Sequence, residues 1–556
     1  MPLDTKGLQN GGNYLLALPW LCWIWVLTQP LPSLAGQWFP RVFDADTGER
    51  IGARIYVESV DGLPFTFGEI GGGSAVLYDV RRGNSVEAHT TVSDKMTGAG
   101  LPYGKYWVRV ERGKEYVPQT FPISFSGPFG IEDSSFDDDS GIQLKRWINM
   151  AEAGWYSGDT HVHRSLRELP NLLLAEDLNV ALPLTYWVTE FKETPLNNSR
   201  PKPRESPKPG LIKVDETHVI WPVNTEYEIF TVGLKQHTLG AVFALNHREP
   251  FDLQAHPVKA VAEAARKQGA ILDLDKHNWP WSMMLLPLMD VDLYELTNNH
   301  LWRTEFLFKD WYPEYFPSYL GGEPKRQSYS ENEWMDWGFA NYYALLNCGF
   351  ELAPSGGTAS GVHPVPLGFG RVYVHTGRTF DFDRWMQGLE RGRSFVTTGP
   401  MLEVLFNGRL PGTRFRAEQA DSFELGIKGK ASALQRITEV EIVVNGDIVA
   451  TIPGKAVYRE PCTVEFATSL KLAEGSWVAV RCFTEHGEKR RRFAHTGPVY
   501  ISFDDKPLRP KRKEVEYLVK RVADEIERHR GVLPDEAVEE YEQALQFYQE
   551  KLREAR

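Results

Sequence analysis

Apolar and polar residues alternate with period two along residues 37–145. "RVFDADTGERIGARIYV" (Arg41–Val57) reads as a strand, an Asp-Thr-Gly turn and a second strand. "LPYGKYWVRVERGKEYVP" (Leu101–Pro118) repeats that arrangement. From 146 to 400 the pattern changes to strands alternating with helices. "NLLLAEDLNVALPLTYW" (Asn171–Trp187) predicts a helix and then an apolar strand. "PVKAVAEAARKQGAILDLDKHNW" (Pro257–Trp279) predicts an amphipathic helix, a stop at Gly269 and a strand over Ala270–Leu274. Repeated βα units imply a largely parallel sheet or barrel. Period two returns over 401–503, where "ITEVEIVVNGDIVATI" (Ile437–Ile452) carries a hairpin turn at Asn445-Gly446. Residues 508–556 show two helical stripes. Val515, Leu518, Val519, Val522 and Ile526 form one; Val538, Tyr541, Leu545 and Tyr548 form the other, with Gly531 and Pro534 between them.

The first residues stand apart. Lys6 precedes an apolar run, Tyr14–Leu27, and a small-residue triplet, Ser33–Ala35, follows it. This is the pattern of a secretory signal over 1–35, with an uncleaved anchor as the alternative. A secreted or periplasmic protein is expected, with no membrane span once the signal is removed. The 62 basic and 74 acidic residues leave a net charge of −12, which argues against nucleic acid as a partner. Of four cysteines, Cys22 lies in the signal and Cys348 reads as a buried thiol. Cys462 and Cys482 sit on neighbouring strands and are able to pair outside the cytoplasm. The acidic run Glu132–Gly141 reads as a solvated linker, and Pro195–Gly210 as an insertion or a lid.

Chemistry concentrates in the middle region. "GWYSGDTHVHR" (Gly154–Arg164) places Asp159, His161 and His163 at alternate positions, so a strand turns all three to one face. Imidazoles bind zinc, iron or copper well, and carboxylates suit harder ions. "NTEYEIFTVGLKQHTLGAVFALNH" (Asn224–His247) supplies Glu226 and Glu228 on one strand face and His237 before the next strand. "GAILDLDKHNWPW" (Gly269–Trp281) puts Asp275 and His277 just past a buried strand, and "DVDLYELTNNH" (Asp290–His300) ends another at Glu295 and Asn298. Strand ends are where α/β folds place their chemistry.

These stretches carry a resemblance. "GWYSGDTHVHR" resembles the opening metal motif of the polymerase-and-histidinol-phosphatase (PHP) superfamily, in the tryptophan-flanked form of its carbaryl-hydrolase-like CehA/McbA branch. "YYALLNCGFELAPSGGTASGVHPVPLGFGRVYV" and "LERGRSFVTTGPML" resemble that branch's closing region, so the likeness spans about 146–412. Residues 37–145 resemble the β-sandwich modules of carboxypeptidase-regulatory type. The resemblance implies a distorted (βα)7 barrel with metals at the strand ends, flanked by β-sandwich domains. The expected parts are a signal peptide (1–35), a β-sandwich (37–145), a PHP-like barrel (146–400), a C-terminal β-domain (401–503) and a helical hairpin (508–556).

Carried over by position, the resemblance implies His161, His163, Glu226, His237 and His277 as metal ligands. Asp159 is a further ligand or the orienter of a ligand histidine. Glu228 and Asp275 are expected as base or proton shuttle, and Arg164 as the holder of an anionic substrate group. The implied cofactor is a divalent metal, zinc first, with manganese or iron as alternatives. The implied reaction is hydrolysis of an ester, carbamate or phosphate-type bond in a small-molecule or carbohydrate substrate. The sequence also departs from the family: Tyr186-Trp187 replaces an Asp-His pair, and Thr358 or Ser360 stands where the closing motif has a carboxylate. A catalytically degenerate binding protein, with a carbohydrate among its candidate ligands, is the second reading. A glycosidase pairing Glu226 with Glu295 is the third. "WPWSMM" and "NNHLWR", with Asn298 and His300, read either as an aromatic rim or as core. The tail stripes pack on the body of the chain or join two copies of it.

Overall fold

A computed structural model describes residues 35–68, 74–95, 98–126, 141–195, 206–305, 315–320, 330–417, 421–454, 461–487 and 489–556. The expected signal (save Ala35), the acidic run up to residue 140, and 196–205 of the Pro-Lys loop lie outside the described residues. Among the described residues no helix is long and apolar enough to cross a membrane.

The alternating N-terminal segment folds as expected from its period into strands β1 (Ala53–Ser59), β2 (Ala75–Arg82), β3 (Ser85–Val92), β4 (Gly104–Glu111) and β5 (Gln119–Phe125). They form an antiparallel sheet in the order β2-β3-β1-β4-β5, with the short strand Pro64–Phe65 on β1. Gly83, at φ 60°, opens the two-residue turn that pairs Arg82 with Ser85. That turn sets Arg82 at the end of the sheet. Trp38, Ile55, Val108, Val110 and Ile123 fill the core of this region.

The middle region contributes β6 (Trp155–Val162), α1 (Leu169–Glu176), β7 (Val180–Pro183), β8 (Tyr186–Glu190), β9 (Thr225–Val232) and β10 (Lys235–Leu245). It continues through α2 (Val258–Lys267), β11 (Ile271–Leu274), α3 (Ser282–Met289), β12 (Leu293–Thr297), α4 (Glu331–Asn347) and β13 (Ala353–Gly356). Strands β14 (Arg371–His375) and β15 (Ser394–Thr397) bracket helix α5 (Phe382–Glu390). These strands do not form one ring of parallel strands. They divide into a six-stranded sheet, β8-β9-β10-β11-β12-β13, and a larger sheet containing β7-β6-β14-β15. The physical reason is local. Gly233 and Leu234, both at positive φ, close a tight turn, so β9 and β10 are an antiparallel hairpin and the sheet is mixed where a largely parallel one was expected. The two sheets nevertheless meet: Thr160 of β6 donates to Asp273 of β11 at 3.2 Å, and Ala359, just past β13, donates its N–H to His161 O at 2.7 Å.

The boundary near 400 is not a break in the fold. Strand β15 pairs with β22 (Arg490–Thr496), so the larger sheet runs on through β21 (Ser476–His486), β18 (Ile437–Val444) and β19 (Asp447–Pro453). A separate three-stranded sheet is made by β16 (Met401–Phe406), β17 (Phe423–Ala433) and β20 (Cys462–Leu472). Cys462 and Cys482 therefore sit in different sheets, and no disulfide joins them. The tail forms α6 (Arg512–His529) and α7 (Asp535–Glu554). Their stripes, Val515, Leu518, Val522 and Ile526 with Tyr541 and Tyr548, are buried in the same core as Met283 and Leu286 of α3. Arg521, 2% exposed, donates to the carbonyls of His277 and Trp279, so the tail fastens the loop that follows β11.

Candidate metal centre

The centre forms where β6 and β11 end, beside the first residues of β9 and the middle of β12. Strand alternation turns His161 inward from β6, and His163 follows it beyond the strand's last residue. Their Nε2 atoms stand 3.2 Å apart. From β9, Glu226 brings Oε2 to 3.3 Å from His163 Nε2 and Oε1 to 3.8 Å from His161 Nε2. On the other side of His161, its Nδ1 lies 3.1 Å from Glu295 Oε1 and 3.7 Å from Asp275 Oδ1. Among the described residues three donor sets result, each with its ligand atoms within 4.8 Å of one another: His161, His163 and Glu226; His161, Asp275 and Glu295; and Glu226, Glu228 and Asp275.

Burial governs the charges. Desolvation pushes His163 down to about 3 and His161 well below the usual imidazole range, so both rings are neutral and present lone pairs. With Glu295 Oε1 accepting from His161 Nδ1–H, the lone pair of His161 is on Nε2, facing His163. The contact therefore needs either His163 Nε2–H donating to that lone pair or a cation bound between the two nitrogens. The spacing is also that of two ligands of one tetrahedral zinc, roughly 3.3 Å for Zn–N bonds of about 2.0–2.1 Å. Both oxygens of Glu226 are buried without a hydrogen-bond partner among the described residues. Burial, then the neighbouring Glu228 and Asp275, raises its pKa well above the carboxylate range. Glu295 is raised for similar reasons, first by burial and then by Asp275. Asp275 goes the other way: burial raises it, but Lys276 and His161 outweigh that and bring it to about 2. Glu228, partly open to solvent, is raised to about 7, by burial against the pull of Lys276. An orphaned buried carboxylate beside two neutral imidazoles is a donor set that suits a divalent metal.

No protein-family model matches the chain, and no curated protein matches it. Among solved structures, a similar chain is a two-domain protein from Bacteroides vulgatus containing a predicted PHP-like metal-dependent phosphoesterase. The identity is 11%, over 59% of this chain and 90% of that one, with a TM-score of 0.27. At that score the likeness bears on neither fold nor activity.

Four of the expected site residues lie elsewhere. In the β9–β10 hairpin the partner of Glu226 is Phe243, and His237 lies six residues further along (243 minus 237), roughly 20 Å at about 3.3 Å per residue. There its Nε2 meets His529 Nδ1 of α6 at 2.9 Å. His277 also stands apart. Strand β11 ends at Leu274, alternation lapses, and the ring turns onto Trp334 and Trp337 at 4.4 and 5.0 Å. Asp159 is fully buried and accepts from Thr358 Oγ1 at 2.5 Å and from the N–H groups of Thr358, Gly368 and His161. It braces the loop behind the ligands, and burial lifts it to about 6 against those bonds. The guanidinium of Arg164 sits 4.4 Å over the Tyr78 ring of β2, between the two regions. Trp279, Trp281 and Trp302 are buried as core. Asn298 Oδ1 accepts from Trp334 Nε1 and the His300 N–H.

Other residues join the centre instead. Glu295 was visible as a strand end. Lys276, 2% exposed, bonds Asp275 directly; nothing in the sequence marks it beyond its neighbours. His363 follows the loop whose Ser360 carbonyl accepts from His163 N–H, and Arg82 Nη1 donates to its Nδ1 at 2.8 Å. That last contact joins segments 281 residues apart, which only the fold reveals.

Proposed function

We propose that this chain is an exported metal-dependent hydrolase of PHP type, related to the CehA/McbA branch, cleaving an ester, carbamate or phosphate-type bond. The observation that carries the reading is the meeting of His161, His163 and the unpartnered Glu226. The two facing sheets around them are read as an opened form of the family's distorted barrel. The apolar run Tyr14–Leu27 supports export.

His161, His163 and Glu226 would hold the metal, zinc first, with Asp275 and Glu295 adjoining. A divalent ion held there supplies Lewis acidity and makes water more acidic. The other parts belong to the chain. Glu295 keeps His161 in the ligating tautomer. Glu228, raised to about 7 and reaching solvent, takes a proton from the attacking water and returns it to the leaving group. Arg82, at the outer edge on His363, draws an anionic substrate group toward the centre.

The test is zinc content of the full chain after chelation and reloading, beside the His161→Ala/His163→Ala variant. Aryl esters, carbamates and phosphate esters are then assayed with and without chelator. Zinc retained by the wild type alone, with chelator-sensitive turnover of one ester class, is expected. A wild-type chain that takes up no zinc, manganese or iron sinks the reading.

A further inference from the structure

Lys276 lies immediately after Asp275, past the end of β11, and its side chain is 2% exposed. Lysine is rarely buried so fully without a counter-ion. Its ammonium bonds Asp275 Oδ2, the oxygen to which Trp279 Nε1 also donates at 2.9 Å. Nζ stands 5.0 Å from the Trp279 ring centroid. The other acids acting on it are Glu228 and Glu295, both of the centre. The same ammonium acts on His161 and His163. Thus the acids that compensate this buried cation are those that otherwise compete to bind metal.

That pairing separates the three donor sets. Asp275 belongs to two of them, and in both a second cation would share that carboxylate with an ammonium already in contact. The set His161, His163 and Glu226 does not contain Asp275. Resting on the metal-site reading above, we propose that the centre takes one divalent ion, on His161, His163 and Glu226, and that Lys276 is its built-in second cation. The arrangement adds the single positive charge of Lys276 to that of one divalent ion while closing the second position.

The experiment counts ions. Full-length wild type, Lys276→Met and Lys276→Arg are stripped with chelator, reloaded with excess zinc, desalted and analysed by mass spectrometry. Manganese(II) paramagnetic resonance on parallel samples distinguishes isolated ions from coupled pairs. One zinc per chain and an uncoupled manganese signal are expected for wild type and Lys276→Arg. Lys276→Met, similar in volume but uncharged, is expected to rise to two, with a coupled signal. Two ions in the wild type overturn the proposal and leave the hydrolase reading standing. So does a folded Lys276→Met that stays at one. No ion in the wild type removes the metal-site reading, and this proposal with it. The wild-type count decides even where a variant fails to fold.

Discussion

Thr358 Oγ1 donates to Asp159 Oδ2 at 2.5 Å, and Thr358 is one of the two residues, with Ser360, where a metal-binding carboxylate was expected from the family motif. The hydroxyl and three backbone N–H groups satisfy a fully buried acid that stands behind the ligand histidines. Thr358→Val removes one of these bonds and is expected to cost about 1–3 kcal/mol. Thr358→Asp places a carboxylate at one of those two positions but sets two buried carboxyls against each other. It is expected to destabilise more than Thr358→Val and to bind no additional zinc. Urea midpoints and zinc counts on the two variants check this; a stable Thr358→Asp with extra zinc would show that the loop is a ligand loop after all.

His163 and His237 were both expected as ligands, and the hairpin register separates them by the length of a strand. His237→Ala is expected to keep full zinc content and to shift stability by about 1 kcal/mol or less, as a half-exposed contact with His529. His163→Ala is expected to lose zinc. Metal analysis after the same desalting step compares them directly; loss of zinc in His237→Ala alone would contradict the register described above.

How much was legible in the sequence follows from the range of each interaction. Period-two and period-3.6 patterns are local, and they marked the strands around Ile55 and Ile442, the helix ending before Gly269, and the stripes of the tail. His161 and His163 were legible because i, i+2 spacing on a strand is itself a geometry. Glu226 and Asp275 were legible as strand-end acids. His237 and His277 were carried over by position from the resemblance, and position along the chain does not fix direction: the turn at Gly233-Leu234 carries His237 away from Glu226, and past Leu274 the His277 ring turns onto Trp334 and Trp337. Arg82 could not be read at all, since its partner His363 is set by how segments 281 residues apart meet; Lys276 pairs with its own neighbour Asp275, and what the sequence hid was its burial.

Arg82 offers a test of that meeting. It is exposed, and it donates to His363 from the end of the N-terminal sheet. Arg82→Ala is expected to raise KM for an anionic ester by about two- to fivefold, the size of an exposed charge interaction, with kcat and zinc content unchanged. The effect should shrink with added salt. An equal loss for neutral and anionic substrates would mean that the residue only props His363.

His495 carries the pH prediction. It is wholly buried beneath α4; its Nδ1–H donates to Thr496 O at 2.7 Å and its Nε2 accepts from Tyr343 Oη–H at 2.9 Å. Burial, aided by Arg481, lowers its pKa to about 3, so the fold holds a neutral ring. The unfolded chain binds the extra proton from about pH 6.5 downward. The contribution is therefore complete above about pH 6.5, declines by up to about 1.4 kcal/mol per unit as pH falls, and levels off below about 3. His495→Gln is expected to be less stable at pH 7.5 and to lose less stability on acidification. Urea midpoints at pH 7.5, 6, 5 and 4 for both chains give the difference in slope, which other titrating groups share and so cancel. Parallel curves would mean that the folded protein already carries the proton on His495.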